Sequence, residues 1–328
     1  MEAVELSARS VLVTGAHGLL GAWLVKALLE QGARVVAVRR DEPAVSALAL
    51  MELEHRIDLV HGDICAEWLI PRVLAEYEVD TVFHLAAQTQ VGIANREPLS
   101  TFETNIRGTW LLLEACRAHG VGRVVVASSD KAYGTHAELP YREELPLQPV
   151  FPYDVSKAAA DLIARSYWHT FGLPVAVTRF ANLYGGGDAN RQRLVPEAVA
   201  AALAGRRPVV RSDGSLERDF LYVEDAVAAY LAICGALDRG QGMGEAFNAG
   251  GGRPHRVGDV VALICRLAGS ELEPEIRGEG VPHGEIDRQW IDFGKLHALT
   301  GWEPSVTLEE GLRCTVDWYR AHPTASAR

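Results

Sequence analysis

The chain has 328 residues, 48% of them hydrophobic, with 32 basic against 43 acidic residues and a formal net charge of −11 at pH 7. This length suits about two domains with a sizeable core. The acidic balance disfavours nucleic acid as a partner, because nucleic-acid binding needs a basic footprint. No apolar run approaches the roughly 18 residues of a membrane span. The start, Met-Glu-Ala-Val-Glu, lacks the features of a secretory signal. We therefore expect neither nucleic acid nor membrane as a partner.

The cysteine and histidine patterns favour a reduced, metal-free protein. The five cysteines, at positions 65, 116, 234, 265 and 314, form no Cys-X-X-Cys pair and cannot all pair with one another. They are typical of buried thiols in a reducing compartment. The eleven histidines include no His-X-X-X-His pair, so no metal site is expected. We predict a soluble cytoplasmic protein.

Apolar runs alternate with segments of helical periodicity along the first half of the chain. The predicted strands are 10–14, 34–38, 57–60, 81–85, 121–127 and 174–180, and the main predicted helices between them are 19–31, 101–119 and 154–171. Apolar strands joined by crossover helices indicate a parallel sheet that is covered on both faces. The pattern therefore predicts an α/β fold with a doubly wound parallel sheet of the Rossmann type.

The second half is less regular. Its predicted elements are a loop at 184–188, a helix at 195–204, a turn at 212–215, a helix at 223–234, a strand at 247–250 and a helical tail at 291–322. No repeat or long linker divides the chain. We predict a first domain over residues 1–180, to which 219–250 returns, and a smaller, interwoven α/β domain of 181–218 and 251–328.

A glycine-rich turn, Thr14-Gly-Ala-His-Gly-Leu-Leu-Gly21, follows the first predicted strand. Gly15 permits a tight turn, Gly18 allows the backbone to approach a pyrophosphate, and Gly21 permits close packing of helix and sheet. The free N–H groups and the dipole of the next helix then face the phosphates. Because a strand precedes the motif and a helix follows it, the motif predicts a dinucleotide site.

The end of the second strand bears on which dinucleotide binds. An acidic residue there hydrogen-bonds the ribose 2′-hydroxyl of NAD, whereas an arginine accommodates the 2′-phosphate of NADP. The sequence has Arg39 and Arg40, followed by Asp41. The arginines favour NADP unless they are merely solvated, and Asp41 keeps NAD open. Asp63, after the third strand, is a candidate to receive the adenine amino group.

Tyr153 and Lys157 are four residues apart, which places a phenol and an ammonium on one face of a helix. An ordinary tyrosine pKa of about 10 is too high for a base near neutrality. The lysine cation, together with an oxidised nicotinamide, favours the phenolate. Tyr153 is then suited to take a hydroxyl proton while hydride leaves the same carbon, and Lys157 is also placed to hold the nicotinamide ribose.

These motifs together resemble the extended short-chain dehydrogenase/reductases, which remodel nucleotide-diphosphate sugars. The segments that carry the resemblance are 14–21, 84–88, 104–109, 153–157, 218–225 and 301–304. The resemblance implies NAD or NADP in the first domain, a nucleotide-diphosphate sugar in the second, and a homodimer formed through a helix bundle. It also implies cofactor contacts from His17, Leu19, Ile64, Leu85, Ala86, Ala87 and Asn105.

The segment after the fifth strand discriminates among the reactions of this family. Ser129 stands where the family's catalytic serine or threonine hydrogen-bonds the sugar 4-hydroxyl. In the 4,6-dehydratases, the next two positions carry an acid for the C6 hydroxyl and a base for the C5 proton. Here they are Asp130 and Lys131, the latter a base if burial or nearby positive charge lowers its pKa. The pair resembles CDP-glucose 4,6-dehydratases, and also dehydratases that invert C5 of UDP-N-acetylglucosamine. We predict a nucleotide-sugar 4,6-dehydratase for CDP-glucose or a related substrate.

Two alternatives stay open. In a 4-epimerase, the 4-keto sugar rotates and takes the hydride on its other face, and the stretch 147–152 resembles that group. Asp130 then merely caps a turn and Lys131 is solvated. A dinucleotide-sensing binding protein is the second alternative, because fold does not imply function. Such scaffolds typically lose the Tyr/Lys pair, which is present here.

The two phosphates of such a substrate require local cations. By the resemblance, Asn182 and Arg218 hold the diphosphate while Arg193 and Leu194 line the nucleotide pocket, and guanidinium groups suit that task through paired hydrogen bonds. The remaining candidates are Gln88 and Thr89 beside the hexose, and Arg211 and Arg288, for each of which a surface ion pair is an equal alternative.

Overall fold

The computed structural model describes residues 6–42, 45–280 and 286–326. The strands are β1 (Ser10–Thr14), β2 (Arg34–Arg39), β3 (Asp58–His61), β4 (Thr81–His84), β5 (Arg123–Ala127), β6 (Val175–Phe180), β7 (Asn182–Tyr184), β8 (Val209–Val210), β9 (Glu217–Arg218), β10 (Phe220–Tyr222), β11 (Ala246–Ala249), β12 (His255–Arg256), β13 (Glu275–Ile276) and β14 (Arg288–Gln289).

The α-helices are α1 (Leu19–Glu30), α2 (Ala47–Leu50), α3 (Leu69–Glu76), α4 (Val91–Arg96), α5 (Pro98–Phe102), α6 (Gly108–His119), α7 (Pro152–Phe171), α8 (Leu194–Leu203), α9 (Val223–Asp238), α10 (Val257–Leu267), α11 (Gly294–Thr300), α12 (Leu308–Ala321) and α13 (Pro323–Ser326). Shorter helical turns are the 3-10 turns Glu54–Arg56 and Asp130–Tyr133 and the π-helical turn Glu103–Arg107. Over the ranges described, no helix is both long and apolar enough to cross a bilayer.

Seven strands form the central sheet in the order β3-β2-β1-β4-β5-β6-β11, and every pairing in it is parallel. The predicted doubly wound parallel sheet is therefore confirmed. From β1 the chain runs outward through β2 to β3, and the connection from β3 then crosses to β4 on the other side of β1. Ligands of such sheets bind at this switch point, beyond the carboxyl ends of the strands.

Strand β1 shows why its run of apolar residues is continuous. Val11 and Val13 pack in the same cluster as Leu24 of α1, on one face of the sheet. Leu12 points to the other face and packs in the cluster that contains Leu69 of α3 and Leu112 of α6. Because both faces are covered, the residues of β1 from Val11 to Thr14 are all buried, and burial of each large aliphatic side chain contributes about 1.5–3 kcal/mol.

A second layer covers the carboxyl end of the sheet. Helices α8, α10 and α12 share an apolar cluster that includes Val199, Ile264 and Val316. Short two- and three-stranded sheets, β7 with β10, β8 with β13, and β9 between β12 and β14, surround it. The division into residues 1–180 with 219–250, and 181–218 with 251–328, stays a prediction. Helix α11, which belongs to the second of these predicted units, contacts α9 and β11 of the first.

Among the predicted boundaries that differ from the structure, two have a clear local cause. The predicted helix 101–119 is divided by the π-helical turn around Asn105, whose buried side chain makes hydrogen bonds outside its own helix. The predicted strand 121–127 begins only at Arg123, because the Val121 N–H bonds the carbonyl of Cys116 and closes α6. Gly120, at φ 66°, supplies the left-handed residue that this helix end requires.

Candidate active site

A cavity of about 940 Å³ lies at the carboxyl edge of the central sheet, between the ends of β1, β4 and β5 and the second layer. Its size is that of a substantial ligand site. The predicted residues that line it are Gly15, His17, Gly18, Leu19, Gly21, Leu85, Ala86, Ala87, Thr89, Ser129, Asp130, Lys131, Tyr153, Asn182, Arg193, Leu194, Arg211 and Arg218. The predicted residues outside its lining are Arg39, Arg40, Asp63, Ile64, Gln88, Asn105, Lys157 and Arg288.

The glycine turn has the geometry of a pyrophosphate cradle. A Cβ on Gly15, whose φ is +77°, would lie 2.8 Å from the backbone nitrogen of Ala86, and one on Gly21 would lie 2.2 Å from the carbonyl oxygen of Gly15. Helix α1 begins after Gly18, which gives its first N–H groups no side-chain cap. Those N–H groups and the helix dipole are free to bind an anion, so the residues present fit a dinucleotide.

Tyr153 lies at the start of α7, and Lys157 follows one turn later. Lys157 donates from Nζ to the carbonyl oxygen of Ala127, 2.8 Å away, at the end of β5. Burial raises the pKa of Tyr153 to about 12, although the nearby Arg193 guanidinium opposes that shift. Burial also lowers the pKa of Lys157 to about 8. The protein alone therefore keeps the phenol protonated at neutral pH.

Ser129, Asp130 and Lys131 form one compact turn after β5. The Ser129 hydroxyl donates to Oδ1 of Asp130 at 3.0 Å and accepts the backbone N–H of Lys131 at 3.3 Å. Asp130 is only 3% exposed, and its Oδ2 has no hydrogen-bond partner within the described part of the chain. Burial raises the pKa of this carboxyl. The turn therefore presents a carboxylic acid able to donate a proton into the cavity.

A buried polar cluster behind this turn holds it in place. Arg179, in β6, donates to both carboxylate oxygens of Asp161 at 2.7 and 3.1 Å, and to the hydroxyl of Tyr133 at 3.0 Å. Tyr133 in turn donates to Oδ1 of Asn248 at 2.8 Å. We made no prediction for these residues. The available signal was an arginine within the otherwise apolar run 175–180, since a buried guanidinium demands partners.

His84 is another residue for which we made no prediction. It is 2% exposed, and its two ring nitrogens lie 2.8 Å from Thr14 Oγ1 and 2.9 Å from Thr109 Oγ1. Thr109 donates to the carbonyl of Asn105 at 2.7 Å, so Nε2 of His84 must be the ring nitrogen that carries the proton. Burial lowers the pKa of His84 to about 3, which keeps the imidazole neutral.

Asn105 and Gln88 lie behind the cavity wall rather than in it. Asn105 Oδ1 accepts the backbone N–H of Gln88 at 2.7 Å, and its Nδ2 donates to Ser156 Oγ at 2.9 Å. The side chain of Gln88 bonds the backbone of Gln90, with its Oε1 accepting that N–H at 2.6 Å. These contacts shape the loop after β4, so both residues support the cavity without lining it.

The second layer brings cations and an amide to the opposite wall. Arg193 donates to Asp188 Oδ2 at 3.1 Å, and Arg218 donates to the carbonyls of Glu217 and Asp287 at 2.9 and 3.0 Å. Asn182, in β7, donates from Nδ2 to the carbonyl of Asp219 at 3.0 Å. Arg288, by contrast, is exposed and donates to the Glu217 carboxylate at 2.7 Å. Its surface ion pair, the alternative that the sequence left open, is what the structure contains.

The end of β2 forms a charged cluster, which we call the β2 corner and define as His17, Arg39, Glu42 and Glu54. Arg39 lies 2.8 Å from Glu42 and 3.7 Å from Glu54, and Nε2 of His17 lies 3.0 Å from Glu54. Arg40 pairs with Asp41 at 2.7 Å. Of the other residues predicted to contact the cofactor here, Asp63 accepts the Cys65 N–H at 2.9 Å, and Ile64 is buried.

The metal-free expectation is not tested by this structure. Among the residues it describes, no group of three or more His, Cys, Asp or Glu side chains is arranged to hold a metal ion.

Comparisons with known proteins place the chain among sugar-nucleotide enzymes. The model of the family described as GDP-mannose 4,6 dehydratase matches residues 12–315. A dTDP-glucose 4,6-dehydratase from Xanthomonas campestris pv. campestris is 35% identical over 333 residues, 95% of this chain and 93% of that protein. The dTDP-glucose 4,6-dehydratase of Bacillus anthracis, solved with NAD, superposes with a TM-score of 0.86 at 30% identity, over 97% and 98% of the two chains. The UDP-glucose 4-epimerase of Thermotoga maritima, solved with UDP-glucose, gives a TM-score of 0.88 at 31% identity, over 96% and 99%.

Proposed function

This chain belongs to the family described as GDP-mannose 4,6 dehydratase, within the extended short-chain dehydrogenase/reductases, and we propose that its reaction is the 4,6-dehydration of a nucleotide-diphosphate sugar. One observation carries the choice of reaction. Asp130 is buried beside Ser129 in the cavity that Lys131 and Tyr153 also line, and its Oδ2 has no hydrogen-bond partner among the residues that the structure describes. A paired acid and base at this turn is what elimination requires and what epimerisation does not use.

The first step is removal of the 4-hydroxyl proton. Tyr153 accepts it, and Ser129 hydrogen-bonds the same oxygen. Since burial raises the pKa of Tyr153 to about 12, the phenolate forms only when additional positive charge lies beside it. The Arg193 guanidinium already limits this rise in pKa, so the additional charge would come from an oxidised nicotinamide. The chemistry that NAD contributes when bound is the storage of one hydride, taken from C4 and returned at C6.

The second step is the loss of water across C5 and C6. Once C4 is a ketone, the C5 hydrogen is acidic, and Lys131 is placed to take it. Asp130 donates its proton to the departing C6 hydroxyl, and its burial favours the protonated form needed for this. Return of the hydride to C6 and of a solvent proton to C5 then gives a 4-keto-6-deoxy sugar and restores the cofactor.

The proposed substrate is a nucleotide-diphosphate glucose and, more specifically, CDP-glucose. The curated relatives include dTDP-glucose 4,6-dehydratases, and the T. maritima epimerase was solved with UDP-glucose. The Asp130-Lys131 pair supports CDP-glucose through the resemblance stated above. Asn182, Arg193 and Arg218 on the second-layer wall are the residues proposed to hold the diphosphate, and Thr89 faces the hexose.

We also propose that the chain forms a homodimer through α6 and α7. Both helices leave large apolar side chains in solvent, with Trp110 41%, Leu162 57% and Phe171 55% exposed. Apolar surface of this kind marks interaction sites when it is contiguous. Light scattering after gel filtration tests this proposal: a dimer that Leu162→Glu converts to a monomer supports it, and a monomeric wild type overturns it.

The reaction is tested by turnover in heavy water. The purified protein is incubated with NAD and, in turn, CDP-glucose, dTDP-glucose, UDP-glucose, UDP-N-acetylglucosamine and GDP-mannose, and products are identified by mass spectrometry. A product lacking one water and carrying one solvent deuterium at C5 establishes the dehydratase and names its substrate. A product of unchanged mass with a new C4 configuration establishes a 4-epimerase instead.

The 4-epimerase is the second candidate, favoured by the overlap with the T. maritima enzyme. It uses the same Ser129, Tyr153 and Lys157 but gives no role to Asp130 or Lys131. If no sugar nucleotide in the panel is turned over while NAD still binds, the alternative of a dinucleotide-sensing binding protein gains support.

A further inference from the structure

The contacts within the β2 corner bear on the choice between NAD and NADP, and the sequence alone does not reveal these contacts. We infer that this corner selects NAD over NADP, and that Glu54 is the residue that discriminates between them. The inference rests on the proposed function, because it takes the glycine turn to be the dinucleotide site. It differs from the sequence interpretation, in which Arg39 and Arg40 favour NADP.

The position of the corner follows from strand register. Val38 pairs with Thr14, so Arg39, the next residue of β2, lies beside Gly15 at the start of the glycine turn. In dinucleotide folds, the residue at the end of the second strand reaches the ribose of the adenosine. Glu54 bridges the turn and the strand end, with its Oε1 3.0 Å from His17 and 3.7 Å from Arg39. The Glu54 carboxylate therefore lies beside the strand end, where the 2′ group is expected.

The guanidinium of Arg39 is already engaged there. Its side chain is 13% exposed, and its Nη2 lies 2.8 Å from Glu42 and 3.1 Å from Nε2 of His61. Arg40 is paired with Asp41. Two cations thus face three carboxylates, Asp41, Glu42 and Glu54. His17 adds no positive charge at neutral pH, because burial lowers its pKa.

The two cofactors place different groups against this charge. A 2′-phosphate brings about two negative charges. To pair with Arg39 it must compete with Glu42 and Glu54, and both carboxylates then remain beside it as further anions. A 2′-hydroxyl instead donates a hydrogen bond to the Glu54 carboxylate and leaves the existing pairs intact. Glu54 comes from the 3-10 turn Glu54–Arg56 and not from β2, so a search for an acidic residue at the strand end does not find it.

The experiment measures binding of NADH and NADPH, each without sugar, by fluorescence titration or calorimetry. Wild type is expected to bind NADH at least about tenfold more tightly than NADPH, and Glu54→Gln is expected to shift the ratio toward NADPH by about tenfold, the scale of one charged hydrogen bond. Glu30→Gln is the matched control. It makes the same chemical change at the far end of α1, where Glu30 pairs with exposed Lys26, and should leave the ratio unchanged.

A second variant separates charge from hydrogen bonding and serves if Glu54→Gln does not fold. Glu54→Asp keeps the charge but shortens the reach, so NADPH stays excluded while NADH binds more weakly. Tighter binding of NADPH by wild type, or affinities that neither Glu54 variant alters, overturns this inference and leaves the proposed reaction standing. Failure to bind either dinucleotide overturns both.

Discussion

The Ser129 hydroxyl joins Asp130 to Lys131: it donates to the Asp130 carboxyl at 3.0 Å and accepts the Lys131 N–H at 3.3 Å. The three residues proposed to act on C4, C5 and C6 of the sugar are therefore fixed relative to one another by a single short turn. Buried Tyr133, at the end of the same turn, ties it to Arg179 and Asn248. Such support keeps reacting groups in a productive geometry before substrate arrives.

Replacing Asp130 by Asn is expected to stop elimination without stopping oxidation. The amide has nearly the same shape but donates no proton to the C6 hydroxyl, so dehydration should fall by about 10²–10⁴-fold. In a single turnover, reduced cofactor should accumulate by absorbance while mass spectrometry shows no loss of water. Asp317→Asn, in an exposed pair with Arg320 on α12, is the control and should turn over normally. Full dehydration by the Asp130 variant would remove this residue from the mechanism.

Lys157 is expected to make stability depend on pH. Burial lowers its pKa to about 8, below the ordinary value of about 10.4. Below pH 8 the folded chain carries the full cost of the buried ammonium, about 3 kcal/mol. Between these values the unfolded chain binds more protons, so stability rises with pH. Urea unfolding of the cofactor-free proteins should show that Lys157→Met is more stable than wild type near pH 7. The stability of this variant should not rise with pH between 8 and 10. Parallel pH curves for the two proteins would contradict the prediction.

Arg193 and Arg288 form a matched pair of arginines on the second layer. Arg193 lines the cavity, whereas Arg288 pairs with Glu217 on the surface. Arg193→Ala should raise the KM for the nucleotide sugar by about 10- to 100-fold, the value of one charged hydrogen bond to phosphate. Arg288→Ala should leave the KM unchanged within twofold. Steady-state kinetics of both variants decides, and equal effects would mean that the diphosphate lies elsewhere.

The pair of Arg179 with Asp161 is expected to be essential for stability. Both side chains are 1% exposed or less. Asp161→Asn leaves the guanidinium buried without its counter-charge, which typically costs about 3–5 kcal/mol. The control is Glu309→Gln, which breaks an exposed pair with Arg313 and should cost less than about 1 kcal/mol. Chemical denaturation measures both, and similar midpoints for the two variants would refute the assignment.

The site residues that could be predicted from the sequence are those that belong to a short sequence motif. The glycine turn and the spacing of Tyr153 and Lys157 mark elements that lie next to each other in the chain, so their geometry follows from one strand–turn–helix unit or one helix. Gln88 and Asn105 were predicted as ligand contacts, but they bond each other across 17 residues behind the cavity wall. A sequence motif indicates which residues belong to the site. It does not distinguish a residue that lines the cavity from one that holds the lining residues in position.

The sequence by itself determined the parallel sheet and the glycine turn, because strand burial and glycine geometry act over a few residues. Only the tertiary structure decided which charges meet. Arg39 was a 2′-phosphate candidate in the sequence, and in the fold it lies 2.8 Å from Glu42 and 3.7 Å from Glu54. Arg288 was a diphosphate candidate, and in the fold it pairs with Glu217. Coulomb energy depends on distance in space, and chain separation gives no measure of that distance.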